Sequence, residues 1–245
     1  MTLPTDTVLV FDIETAPTDD PAVVTSIASS IKPPGNMKKE ETIAAWEAHQ
    51  KPTAVIDAVA RTALDGGKGS VIAIGWAVIT LDHDHRLAGF TTNRIRIRDR
   101  DESVQNFLGD TFRAMGDDIE VPYQLAGHNI LDFDIPFLIH QCIRHRLTVP
   151  RWLPIFPSPY TNDVLDTMRL WAGPRGQVGL SDLAQSLGIE RAETIPSHQV
   201  PQAWQAGDVS AVAAHLDDDV LTTVKVLHDV LDAMGDRLAR EVKRR

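Results

Sequence analysis

With 245 residues and 43% apolar content, the chain can bury one sizeable core. No Gly/Ser/Pro-rich linker and no repeat period divides it, so residues 1–245 are expected to form a single α/β domain. The one cysteine, Cys142, excludes an intrachain disulfide and a thiolate zinc site and fits a reducing, cytoplasmic setting. The net charge of −10 argues against broad duplex binding, but a protein that grips only a few nucleotides stays open, particularly if some of the charge is a carboxylate cluster awaiting metal.

Residues 1–7 lack the basic region and apolar run of a signal peptide, and no apolar stretch is long enough to span a bilayer. Residues 7–11 (TVLVF) read as a buried central strand that ends in Asp12-Ile13-Glu14. Residues 17 to about 69 read as a largely helical insertion: Pro33, Pro34 and Gly35 break the chain, 38–64 is helical with an interruption at Pro52, and Asp65-Gly66-Gly67 turns it. Residues 70–80 (SVIAIGWAVIT) form the strongest predicted strand, and 87–92 and 95–98 extend it as an antiparallel meander. Helical spacing follows over 103–115, then a strand over 123–126. A helix is predicted over 133–145 with Pro136 in its first turn, a proline-rich loop over 150–159, and a short helix over 181–187 stopped by Gly188. Residues 208–238 form one long helix or two in tandem, and Lys243-Arg244-Arg245 reads as a solvated tail. This order implies a mixed sheet flanked by helices, with a helical insertion after the first strand.

Asp12 and Glu14 are two apart on a strand, so both carboxylates point to one face. Two unpaired acids at the end of an apolar strand are costly unless compensated, and a divalent cation is the natural partner. In the segment Asn129-Ile130-Leu131-Asp132-Phe133-Asp134-Ile135-Pro136-Phe137, Asp132 reads as an N-cap and Asp134 as a first-turn acid. On the last helix, Val209, Val212, Leu216, Val220, Leu227 and Leu231 mark a buried stripe. His215 and Asp219 share one flank, one turn apart, while Asp217 and Asp218 are expected to be solvated.

These segments resemble the three motifs of the DEDD 3′-5′ exonucleases. VFDIET is similar to the first, and the Phe-Asp-x-Pro-Phe end of the second resembles the form in proofreading domains of family B DNA polymerases, which puts Asp134 in the catalytic position. His215 with Asp219 resembles the third, with a departure. Members with a four-residue step carry Tyr in that place, and members with His use a five-residue step, which here would land on Val220. The stretch from Asp166-Thr167 to Leu187-Gly188-Ile189 is also similar to the family.

The resemblance implies a ribonuclease H-like fold and a 3′-5′ exonuclease that releases nucleoside 5′-monophosphates. It implies two Mg²⁺ or Mn²⁺ ions held by Asp12, Glu14, Asp134 and Asp219, with His215 orienting or deprotonating the attacking water. Alternatively, His215 is a buried structural histidine. Thr15, Asn129 and Phe133 are expected beside the terminal nucleotides; Phe133 either stacks on a base or belongs to the core. Lys32, Lys38 and Lys39 either contact phosphates or mark a solvated helix start. Single-stranded DNA is favoured over short RNA as substrate, and a non-catalytic nucleic-acid-binding module is the alternative of another class. No dinucleotide-binding, Walker or G-x-S-x-G pattern is present.

Overall fold

The computed structural model describes residues 7–82, 86–118, 123–155, 157, 158, 160 and 163–242. The basic tail at 243–245 and residues 1–6 of the N-terminal segment lie outside them. Strand β1 (Thr7–Ala16) is followed by three insertion helices, α1 (Pro21–Ser30), α2 (Glu40–His49) and α3 (Lys51–Ala60), and by a 3₁₀ turn, Arg61–Leu64. Then come β2 (Ser70–Leu81), β3 (Leu87–Ile97), α4 (Val104–Asp118), β4 (Tyr123–Gly127) and α5 (Asp134–Arg144). After them come β5 (Val164–Asp166), α6 (Thr167–Ala172), α7 (Leu180–Ser186), α8 (Val200–Ala206) and α9 (Val209–Val242). Among the described residues no helix is long and apolar enough to cross a membrane.

The sheet runs β3-β2-β1-β4-β5, with β1 in the centre. β1 pairs antiparallel with β2 and parallel with β4, and β5 adds parallel to β4. This is the mixed, helix-flanked sheet that the sequence implied. Alternation along β1 divides the core into two layers. Leu9, Phe11 and Ile13 pack with Phe107, Leu108 and Met115 of α4 and Ile135, Leu138 and Cys142 of α5. Val8 and Val10 pack with Leu216, Val220 and Leu227 of α9 and Trp204 of α8. By the same parity, Asp12 and Glu14 belong to the α9 side.

Several expectations are refined. The two strands expected over 87–92 and 95–98 are one, β3, whose irregular register against β2 lets it run through Thr91–Asn93. Pro52 lies in the first turn of α3, where its missing N–H costs nothing, so it starts a helix rather than interrupting one. Helix α1 was not anticipated, although Asp20 caps it by accepting from the Ala22 amide at 2.8 Å and Pro21 opens it. The C-terminal segment is one helix, and Val209 at its start is 49% exposed rather than part of the buried stripe.

Gly75 fixes how closely α9 approaches the sheet. It sits opposite Asp12 in the β1–β2 register. A Cβ there would lie 2.9 Å from Leu216 Cγ and 3.0 Å from Val220 Cγ2, so its absence lets α9 settle beside the acids of β1. Gly75→Ala is expected to lower stability by about 1–3 kcal/mol through overpacking, measured by urea denaturation. Gly35→Ala, where a Cβ meets nothing within 4 Å, is expected to leave the midpoint unchanged.

Candidate active site

Three elements bring the four acids to the floor of one cleft. Asp12 and Glu14 come from the end of β1, Asp134 from the first turn of α5, and Asp219 from α9, and all four line a cavity of about 670 Å³. Asp134 is 2% exposed, and its Oδ1 accepts from the Ile13 amide at 3.1 Å. That amide lies between Asp12 and Glu14, so the bond draws α5 onto the β1 acids. Asp132, two residues earlier, pairs instead with Arg169 near the surface, and Phe133 is the N-cap residue. Of the two acids in this segment, only Asp134 faces the cleft.

His215 is 3% exposed and stands behind the carboxylates rather than among the cleft-lining residues. Its Nε2 is 3.4 Å from Glu14 Oε1 and 3.5 Å from Asp219 Oδ2, and its Nδ1 is 3.4 Å from Thr194 Oγ1. One ligand atom from each of Glu14, His215 and Asp219 lies within 4.8 Å of the others, close enough to share one cation. Nε2 is buried with no hydrogen-bond partner, a costly condition unless something binds there.

The electrostatics lead to the same reading. Burial, then the charges of Asp134, Asp219 and Glu14, pushes Asp12 well above the usual carboxylate range. Burial, then Asp219 and Asp134, pushes Glu14 up to about 8, and burial raises Asp134 to about 7. Asp219 is raised by burial as well, although His215 and Arg191 oppose the shift. Four acids this desolvated and crowded must hold protons or a cation. The four carboxylates offer only oxygen donors, which suit a hard cation such as Mg²⁺ or Mn²⁺, and His215 adds one nitrogen at the edge of the cluster, so the residues present fit divalent ions.

A family model matches residues 69–240, well over half of the chain; it describes predicted 3′-5′ exonucleases related to the exonuclease domain of PolB. The chain belongs to this family. β1 and the insertion precede the matched segment, so Asp12 and Glu14 join it through sheet pairing rather than through the match itself.

The fold of this PolB-related family member is also found in a family B DNA polymerase from the hyperthermophilic archaeon Pyrobaculum calidifontis. The TM-score is 0.50 at 16% identity over 93% of this chain, which spans only 25% of the polymerase. E. coli Exonuclease I, solved with a dT13 oligonucleotide, aligns at a TM-score of 0.44 and 12% identity over 94% of this chain and 42% of its own. No curated protein matches the sequence.

Of the residues expected beside substrate, Thr15, Asn129 and Phe133 all line the cleft. The Thr15 hydroxyl is already engaged, donating to the Ala63 carbonyl at 2.7 Å. Asn129 adopts a left-handed backbone, with φ of 60°. Phe133 packs against Phe137 at 5.5 Å and is half-buried, which joins the core and base-facing alternatives. Lys32, Lys38 and Lys39 are exposed and do not line the cleft.

Arg191, Asp166 and His128 were not singled out from the sequence as site residues. Arg191 is ion-paired to Asp219 and donates through Nε to Asp218 at 2.7 Å and through Nη1 to Ser181 at 2.7 Å. Asp218 is therefore 7% exposed rather than solvated, and it also accepts from the Ala192 amide at 2.8 Å. Asp217 accepts from Asn93 at 2.8 Å. Asp166 caps α6 and accepts from the amides of Asn129 and Leu131 at 3.0 and 3.1 Å, which fixes the loop before Asp134. His128 lines the cleft with both ring nitrogens committed, to Thr167 Oγ1 at 2.9 Å and the Val178 carbonyl at 3.0 Å.

A pH dependence follows. A carboxylate whose pKa rises on folding binds more protons in the native state, so its cost to folding is absent below the unfolded pKa and complete above the folded one. For Asp134 and Glu14 the metal-free protein loses stability as pH rises from the ordinary carboxylate range towards about 7 and about 8 respectively. Melting temperatures in EDTA are expected to fall across that window, and Mn²⁺ is expected to remove most of the fall. Glu14→Gln is expected to flatten the EDTA profile.

Proposed function

We propose that this chain is a metal-dependent 3′-5′ exonuclease that hydrolyses single-stranded DNA to nucleoside 5′-monophosphates. The observation that carries the reading is the meeting of Asp12, Glu14, Asp134 and Asp219 in one open cleft, with Asp134 held to the Ile13 amide between the two β1 acids. Membership of a family described as predicted 3′-5′ exonucleases supports the reaction and its direction. The family's relation to PolB, and the fold shared with a family B DNA polymerase, support DNA over RNA.

Asp12, Glu14, Asp134 and Asp219 would hold two Mg²⁺ or Mn²⁺ ions. When bound, such ions raise the acidity of a water and stabilise charge on phosphorus and on the departing oxygen. The chain's own groups do the rest. The water oxygen forms a bond to phosphorus as the P–O3′ bond breaks, the water gives up a proton to the protein, and the departing 3′ oxygen takes up a proton from solvent. His215 Nε2 stands behind Glu14 and Asp219 at 3.4 and 3.5 Å, so it is suited to take up, through these carboxylates, the proton the water loses. Arg191 holds Asp219 through Oδ1, leaving Oδ2 towards His215, and is itself braced against Asp218 and Ser181. The Asn129 loop, tied to Asp166, sets the wall against which the terminal nucleotide rests.

The test is a 5′-labelled single-stranded oligonucleotide, as DNA and as RNA, incubated with Mg²⁺, Mn²⁺ or EDTA. A ladder that shortens from the 3′ end with metal, is absent in EDTA and is lost in Asp134→Asn is expected, with DNA cleaved faster. His215→Ala is expected to lower kcat by about 10²–10⁴, the range of a general base. A folded protein that cleaves neither strand with either metal would overturn the reading.

A further inference from the structure

We propose that the 3₁₀ turn at the end of the insertion is a clamp for the bound strand, with Arg61 holding a backbone phosphate and Leu64 supporting a base. The inference rests on the nuclease reading above and gives the insertion a role in it. In a 3₁₀ helix, residues three apart eclipse one another. Arg61 and Leu64 are the first and last residues of the turn Arg61–Leu64, so they present one common face, and both line the cleft over the carboxylates.

The opposite face is locked to the site. Thr62 and Ala63 are buried; Thr62 Oγ1 accepts from the Thr18 amide at 2.8 Å, and the Ala63 carbonyl accepts from Thr15 Oγ1 at 2.7 Å. Thr15 follows Glu14 directly, so the turn is anchored one residue from a site acid. The following segment is tied to α5, where Arg144 donates to the carbonyls of Lys68 and Gly69 at 2.9 and 2.7 Å. The turn is thus a fixed wall of the cleft, built onto both elements that carry acids from its side.

Its free face has what a single strand needs. Arg61 is the only Lys or Arg among the described residues that line the cleft, and it has no ion-pair partner among them. The guanidiniums of Arg169 and Arg191 are committed elsewhere, to Asp132 and to Asp218 and Asp219. In a chain of net charge −10, with four acids at the cleft floor, a phosphate arriving there needs a cation on the wall. Leu64 is 71% exposed, an apolar side chain that contributes little to the core and can offer any base a surface without reading its edge. The turn lies outside the segment matched by the family model, so the clamp would belong to this chain's insertion rather than to the shared fold.

The experiment is steady-state cleavage of a 5′-labelled oligo-dT by the full chain over a series of KCl concentrations, with Arg61→Ala, Arg61→Lys and Leu64→Ser. Both side chains are exposed, so unchanged melting temperatures are the folding control. Arg61→Ala is expected to raise KM roughly tenfold, the size of one charge-assisted contact, with kcat little changed. The slope of log KM against log salt should fall by about 0.7, the share of one phosphate on a single strand. Arg61→Lys should restore that slope, and Leu64→Ser should raise KM while leaving it intact. If the wild type cleaves and Arg61→Ala keeps both its KM and its salt slope, the clamp is wrong and the nuclease reading stands. If the wild type does not cleave, both fall.

Discussion

The hydrogen bond from the Ile13 amide to Asp134 joins the two layers on which the candidate site depends. β1 is the central strand, and its alternation sends Leu9, Phe11 and Ile13 to one helical layer and Asp12 and Glu14 towards the other. Asp134 comes from the layer that those acids do not face. By accepting from the amide between them, it crosses the sheet edge and reaches their side of the cleft. Gly75 completes the arrangement from behind, because the missing Cβ lets α9 bring His215 and Asp219 against Glu14. The sheet, α5 and α9 thus converge on one small volume, and burial there raises the proton affinity of all four acids.

That crowding is unfavourable in isolation. Desolvated like charges oppose folding unless protons or a counter-charge relieve them. Arg191 relieves part of it at Asp219, but among the described residues no guanidinium or ammonium is ion-paired to Asp12, Glu14 or Asp134. The fold therefore stores a demand for positive charge at the floor of an open cleft, which is the demand a divalent cation meets. The same charge distribution explains how a chain of net charge −10 could accept a nucleic acid. Attraction need not come from a basic surface if it comes from bound metal together with one cation on the cleft wall.

The parts of this arrangement legible in the sequence were those governed by a regular period. The two-residue spacing of Asp12 and Glu14, the apolar run before them and the one-turn spacing of His215 and Asp219 all follow from strand and helix geometry. Asp134 was separable from Asp132 only through resemblance to a motif, because both lie at a helix start where either could cap. What escaped was non-periodic. Asp218 was misjudged because a helical wheel assumes one buried face, whereas the segment carrying Arg191 and Ala192 covers a second face of α9. Arg191 and Asp166 lie in irregular or very short elements, where only the folded chain reveals a partner. β5, α6 and α8, of three, six and seven residues, are shorter than the window in which a period can be counted. The start of α1 was readable from Asp20-Pro21 but was obscured by the proline-rich stretch that follows the helix.

The central claim is that the four carboxylates form one centre that holds two divalent cations. Calorimetric titration of Mn²⁺ into the metal-free protein near neutral pH, repeated in buffers of different ionisation enthalpy, tests it most directly. Binding of two ions per chain with release of protons is expected, because raised carboxylates must lose their protons to become ligands. Binding of a single ion, or of none, or binding without proton release, would contradict it.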